Sequence, residues 1–255
     1  MDLIPVYLFI FGACIGSFLN VCIYRLPEGK SIISPPSYCP KCKSKIKWYH
    51  NIPILSYIFL KGKCAYCNEK ISIRYFVVEV LTGAFFVINF NYFGFSILFF
   101  KYTLFVCLLI IVIFTDLKYM IIPDEISIGG IIAGVIFSFF SNDINWWQSI
   151  LGILIGGGVL YLVILIYYLF TKKEGMGGGD VKLLAMIGAF LGWKSIFFTI
   201  FVGSLIGTLV AVPLMFIKKK GKNSMIPFGP FLSIAGMIYL YFGKLIISTY
   251  LNFIL

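Results

Sequence analysis

Apolar residues in this chain come in long runs separated by short polar breaks. Crossing a bilayer takes about 20 apolar residues, because the hydrocarbon layer is ~30 Å thick and a helix rises ~1.5 Å per residue. Eight runs reach or approach that length: 3–24, 75–90, 95–115, 126–140, 149–170, 181–193, 195–217 and 225–250. The pattern predicts an all-α fold, a polytopic membrane helix bundle with about eight transmembrane helices. The run at 181–193 is short, and taken alone it also fits a re-entrant hairpin. The first run has no basic start and Arg25 follows it, so it reads as a span and not as a cleaved signal.

Composition agrees. Of 255 residues 60% are hydrophobic and 12% charged, and the mean hydropathy is +0.99. Soluble domains have ~45–50% apolar and ~25% charged residues. This excludes a soluble enzyme, and 18% aromatic residues exclude disorder. A net charge of +11 raises the question of nucleic acid, but the distribution of the charge answers it. Ten lysines and arginines lie in the first loop, from Arg25 to Arg74. Lys118 follows the third run; Lys172, Lys173 and Lys182 follow the fifth; Lys218, Lys219, Lys220 and Lys222 follow the seventh. If every run crosses, all of these face one side, which is then cytoplasmic, and both termini lie outside. Trp146, Trp147 and Trp193 fall at the outer interface. Lys101, Lys194 and Lys244 do not fit, and snorkelling accounts for them. The partners expected are membrane lipid and protein, with no nucleic acid.

Residues 27–74 form the one extended polar segment. It contains Cys39-Pro40-Lys41-Cys42 and Cys64-Ala65-Tyr66-Cys67, two C-x-x-C pairs separated by 21 residues. This spacing suits a four-thiolate tetrahedral zinc site in which each pair makes a knuckle. Four metal-free thiols or two redox pairs are the alternatives, and a cytosolic face disfavours structural disulfides. His50 needs no ligand role. Cys14, Cys22 and Cys107 fall inside spans and read as small core residues. At 48 residues the segment is too small for a nucleotide-binding α/β fold. The expected organisation is a first transmembrane helix (1–26), a four-cysteine metal-binding loop (27–74) and a transmembrane catalytic domain (75–255).

Only ten acidic residues occur, so their positions carry information. Asp116 closes the third run; Asp180 opens the sixth after Gly177-Gly178-Gly179. Carboxylates at a membrane edge are costly, which makes them functional candidates. Two such groups sharing a proton can deprotonate water and polarise a carbonyl, the chemistry of hydrolysis. Glycines before Asp180 permit close backbone approach. The competing readings are an interfacial solvated acid for Asp116 and a helix N-cap for Asp180. Asp124 and Glu125 look like capping acids, and Glu79 like a partly buried acid in the second span. No serine–histidine set and no P-loop occurs.

Taken together, these motifs resemble the bacterial type IV prepilin leader peptidases, GxGD-type intramembrane aspartic proteases. The resemblance rests on Gly16-Ser17-Phe18-Leu19-Asn20-Val21 with Arg25-Leu26-Pro27, and on both cysteine pairs flanking Asn51-Ile52-Pro53-Ile54-Leu55-Ser56-Tyr57. Further support comes from Arg74-Tyr75, Glu79, Asp116 with Ile122-Pro123-Asp124, Gly177-Gly178-Gly179-Asp180, and Ile226-Pro227-Phe228-Gly229-Pro230. It implies that Asp116 and Asp180 are the catalytic dyad, with Gly177 and Gly179 in support. The implied substrates are prepilins and pseudopilins, cut after a short basic leader at the cytoplasmic face of the bacterial inner membrane. Long-form members with the cysteine loop also N-methylate the new terminus, using S-adenosylmethionine. Any pocket for that donor must then be shared between the loop and nearby helix ends.

Two other readings compete with this one. An ion- or proton-coupled transporter would use Asp116 and Asp180 as a relay, although transporter sites lie near the midplane. A zinc-loop assembly factor without catalysis leaves the placement of the acids unexplained. Helix-end electrostatics alone would place the dyad's shared proton on Asp116 and leave Asp180 to activate water.

Overall fold

The computed structural model describes residues 3–172, 177–218 and 226–254. Helices dominate the described residues: α1 Ile4–Arg25, α2 Leu55–Phe59, α3 Ile73–Phe93, α4 Ile97–Tyr119, α5 Asp124–Phe140, α6 Trp146–Thr171, α7 Gly178–Leu191, α8 Lys194–Lys218 and α9 Gly229–Ile254. Every apolar run forms a helix over most of its described part. By length and hydropathy α1, α3, α4, α6 and α8 suffice to cross a membrane. The shorter α5 and α7 have 17 and 14 residues. Met225, where the last run was expected to begin, lies outside the described residues, as do Lys173, Lys219, Lys220 and Lys222.

Local chemistry sets several helix boundaries. Ser72 accepts a hydrogen bond from the Arg74 amide and starts α3. Asn145 and Gln148 exchange side-chain and backbone bonds, a capping box that starts α6. Gly192, at φ +78°, ends α7 in a conformation that costs glycine little.

The chain divides into two compact units, Met1–Ile111 and Val112–Leu255, and the division falls within α4. In the first unit α1 packs along α3. A Cβ on Gly16 would lie 2.7 Å from the Glu79 Cα, and one on Gly12 would lie 2.9 Å from the Gly83 Cα. Small residues four apart thus let the two backbones meet, as in membrane helix pairs.

In the second unit the shortest long helix is central. α7 packs against α5, α6, α8 and α9, and each residue from Leu183 to Leu191 is buried. A helix that is apolar all round belongs inside a bundle. Gly152 of α6 meets Gly188 of α7 so closely that a Cβ on Gly152 would lie 2.2 Å from the Gly188 carbonyl oxygen. Gly156 stacks on Leu184, and Gly134 of α5 on Ala189. On α8, Phe197, Phe201, Leu205 and Leu209 are exposed at four-residue intervals. Such a stripe suits lipid and not water.

Two expectations fail here. Lys101 does not snorkel: it is fully buried, on the same α4 face as Phe105 and Leu109, with its ammonium 5.1 Å from the Tyr102 ring. Snorkelling needs a lipid-facing stem, and a charge count cannot say which face a residue occupies. Cys14 is exposed on α1, whereas Cys22 and Cys107 are buried as expected.

Candidate functional site

Asp116 sits in the last turn of α4, where its carbonyl accepts the Met120 amide at 2.9 Å. Met120, at φ +55°, turns the chain out of the helix. Ile121 and Ile122 follow, and Pro123 caps α5. Asp180 occupies the first turn of α7, its amide bonded to the Gly177 carbonyl at 3.2 Å. Asp116 is 6% exposed and Asp180 is half-buried. The two are close enough for their charges to act on each other.

Gly229, the first residue of α9, completes the arrangement. Its amide donates to Asp116 Oδ2 at 3.0 Å. A Cβ there would lie 2.7 Å from that oxygen and 3.1 Å from the Ile122 side chain. Ile122 is buried and also touches Gly179, where a Cβ would come within 3.1 Å of it. Thus Ile122 fits between two helix starts that only glycine allows so near. Around Gly177 a Cβ would meet nothing within 4 Å. Asp124 pairs with Lys182 at 2.6 Å, both groups exposed. Sequence reasoning gave Ile122 and Gly229 no role. A glycine opening a helix at the level of a buried acid was the available signal. The Gly229 donor is also absent from the helix-end argument, so that argument alone does not divide the roles of the two acids.

The cysteine loop is built as two copies of one turn. The Cys39 amide donates to the Ser44 carbonyl at 3.0 Å, and the Cys64 amide to that of Glu69 at 2.8 Å. Lys43 and Asn68, each one residue past its pair, take φ near +59° and +56°. Their amides return to the Cys39 and Cys64 carbonyls at 2.9 and 3.0 Å. Tyr38 bridges Lys45, and Lys63 bridges Lys70, so each copy closes at the same offset. Lys41 of one copy pairs with Glu69 of the other.

The four Sγ atoms lie within 4.8 Å of one another, with Cys39 and Cys67 at 3.8 Å. A tetrahedron of thiolates ~2.3 Å from zinc has edges of about 3.8 Å, so the residues fit a zinc ion. Hydrogen bonds to Ser44 pull the Cys42 thiol down to about 6. Backbone amides of Cys67 and Tyr66 lower Cys64. The amide of Glu69 pulls Cys67 down, but desolvation and the other three sulfurs outweigh it and raise this thiol to about 11. Gathering four thiolates is therefore self-limiting without a cation. His50 packs edge-on against Tyr49 and Tyr66 and is not among the four clustered groups.

Comparison with known proteins places these features. Residues 10–93 match the bacterial peptidase A24 N-terminal domain, and residues 103–212 match the type IV leader peptidase family. A prepilin leader peptidase/N-methyltransferase of Aeromonas salmonicida is 34% identical over 97% of this chain and 94% of its own length. Proteins of the same name from Legionella pneumophila and Neisseria gonorrhoeae are 34% and 36% identical, over 96% and 90% of this chain and 93% and 87% of theirs. No solved structure matches.

Proposed function

The chain belongs to the type IV leader peptidase family, and from that membership we propose that Asp116 and Asp180 are the pair that cuts the leader. It is a membrane enzyme that removes the leader from prepilins and methylates the new N-terminus. The family match gives no support to the transporter reading. The observation that supports the assignment of residues is an acid at a helix end and an acid at a helix start near enough for their charges to interact, with the Gly229 amide bonded to Asp116.

The chemistry follows from this arrangement. One carboxylate takes a proton from water while the other, protonated, donates to the scissile carbonyl. Hydroxide adds to the carbonyl carbon, and the amine leaves with the proton first taken from water. We place both acids at the cytoplasmic face, with all eight long helices crossing the bacterial inner membrane. The basic leader then stays in the cytosol, the apolar stem lies in the bilayer, and the bond to be cut falls at their border. Zinc, held by Cys39, Cys42, Cys64 and Cys67, supplies folding energy to a loop without a core. S-adenosylmethionine, when bound, supplies the methyl group to the amine that cleavage frees.

A prepilin peptide incubated with the purified protein in detergent tests this. Mass spectrometry of the wild type should show loss of the leader and gain of one methyl group. Asp116→Asn and Asp180→Asn should each abolish leader loss while the protein still inserts; cleavage surviving both single changes would sink the assignment.

A further inference from the structure

The first unit holds a second buried polar group that the peptidase reading does not use. Asn20, in the last two turns of α1, is 2% exposed, and Glu79 of α3 is 8% exposed. The two helices also meet closely at Gly16, where a Cβ would lie 2.7 Å from the Glu79 Cα. Asn20 Nδ2 donates to the Tyr75 carbonyl at 3.0 Å, which fixes the amide orientation and leaves Oδ1 buried without a donor. Glu79 Oε2 accepts the Ile54 amide at 2.7 Å, and the Ser17 side chain lies near the same carboxyl group.

These donors are neutral. Among the described residues no lysine or arginine pairs with Glu79. Arg25 donates to the Ser31 and Pro35 carbonyls, and Arg74 lies over the Tyr75 ring. The cluster therefore has more acceptors than donors, and one acceptor is an acid. Burying such a set is costly unless a cationic donor completes it. An alkylammonium group has the required charge and three N–H donors.

We propose that Ser17, Asn20 and Glu79 form a binding site for an alkylammonium group. The inference rests on the methyltransferase reading, which requires two ligands of that chemistry. One is the free N-terminus exposed by cleavage; the other is the amino-acid end of the methyl donor. Ile54 covers the carboxyl group from the loop, on a φ of +64°, so loop and helix ends share the site.

Binding to the intact chain in detergent, measured by calorimetry, tests this without turnover. Three probes are used: a pilin-derived peptide with a free N-terminus, the same peptide acetylated, and S-adenosylhomocysteine. Glu79→Gln keeps an acceptor for the Ile54 amide and removes the charge. It should weaken the free-amine peptide or S-adenosylhomocysteine about tenfold or more. Asn20→Leu should weaken the same probe about two- to tenfold. Whichever probe responds identifies the source of the ammonium.

Equal weakening of the free and acetylated peptides would mean that Glu79 only holds the Ile54 turn, and would overturn the site. So would unchanged affinities with wild-type metal content. If Glu79→Gln does not fold, the wild type decides: equal affinity for both peptides, with no binding of S-adenosylhomocysteine, overturns it. A wild type that fails to cut prepilin contradicts the peptidase reading instead, and the two failures remain distinct.

Discussion

The cysteine loop and the α5–α6–α7 core are held together by opposite means. Of the loop residues 27–74, only Cys39, Gly62 and Cys64 are buried, while Trp48 and Phe59 are each 79% exposed. Its order comes from two repeated turns and four sulfurs at ligand spacing. The core of the second unit uses the absence of side chains. Gly134, Gly152, Gly156 and Gly188 bring backbones together, and dispersion over that contact replaces the hydrophobic driving force that lipid does not supply. In the loop four sulfurs converge at the spacing a cation would need; in the bundle, shape brings the backbones together. Damage to each should accordingly differ in size and in remedy.

The largest effect is expected at Gly152. A side chain there would meet the Gly188 carbonyl oxygen at 2.2 Å, and neither backbone can move without parting α6 from α7. Overpacking a core costs about 1–3 kcal/mol when side chains can adjust. Here no side chain can give, so Gly152→Leu should exceed about 3 kcal/mol and remove the folded protein from detergent extracts. Gly158 on the same helix has nothing within 4 Å, and Gly158→Ala should leave thermal unfolding unchanged. Equal tolerance at both positions would show that the close seam does not hold the bundle.

Next comes Cys39→Ser, which strikes the loop alone. Losing one thiolate should release zinc and open both turns to protease, while the melting of the bundle changes little. Elemental analysis should give one zinc per wild-type chain and much less in the variant. Methyl transfer should fall further than leader cleavage if, as proposed, the donor pocket is shared with the loop. Folded, active wild type without metal would refute the zinc assignment. Equal loss of both activities across several loop variants would mean the loop merely supports the fold.

The contrast also explains what could be read from the chain. Ligand chemistry is local, so the clustering of Cys39, Cys42, Cys64 and Cys67 was legible from spacing alone. Apolar runs were legible too, since bilayer thickness sets their length: 149–170 became α6, Trp146–Thr171. Glycine spacing at 12/16, 130/134 and 152/156 was equally present in the sequence and went unread. The meeting of Gly229 with Asp116 spans 113 positions and depends on how helices pack, which no local pattern encodes. The burial of Lys101 belongs to the same class.

Gly229→Ala tests a glycine that serves an acid and not a seam. The added carbon would sit 2.7 Å from Asp116 Oδ2, so the carboxyl group must shift while the fold tolerates one methyl group. Misplacing a reacting group by about 1 Å can cost around a hundredfold in rate. Leader cleavage should fall by about ten- to a hundredfold with thermal unfolding nearly unchanged. If stability and rate fall together, Gly229 is one more packing glycine.

The smallest effect is expected where charge, and neither metal nor close contact, joins two helices. Lys182 of α7 and Asp124 of α5 pair at 2.6 Å, with 42% and 58% of their side chains exposed. Water and salt screen such a pair, and fixing two side chains offsets part of the attraction, so exposed pairs contribute about 0–1 kcal/mol. α5 and α7 are already joined beneath it, where Gly134 meets Ala189. Lys182→Met should therefore lower stability by less than about 1 kcal/mol, and high salt should erase the difference from wild type. Its second readout is cleavage, because Lys182 lies two residues beyond Asp180. If the rate drops while unfolding does not, the lysine's charge acts on the acid pair and not on helix packing. If unfolding drops by several kcal/mol, charge shares with the glycine seams the work of holding the bundle, and the two regions differ less sharply in what holds them.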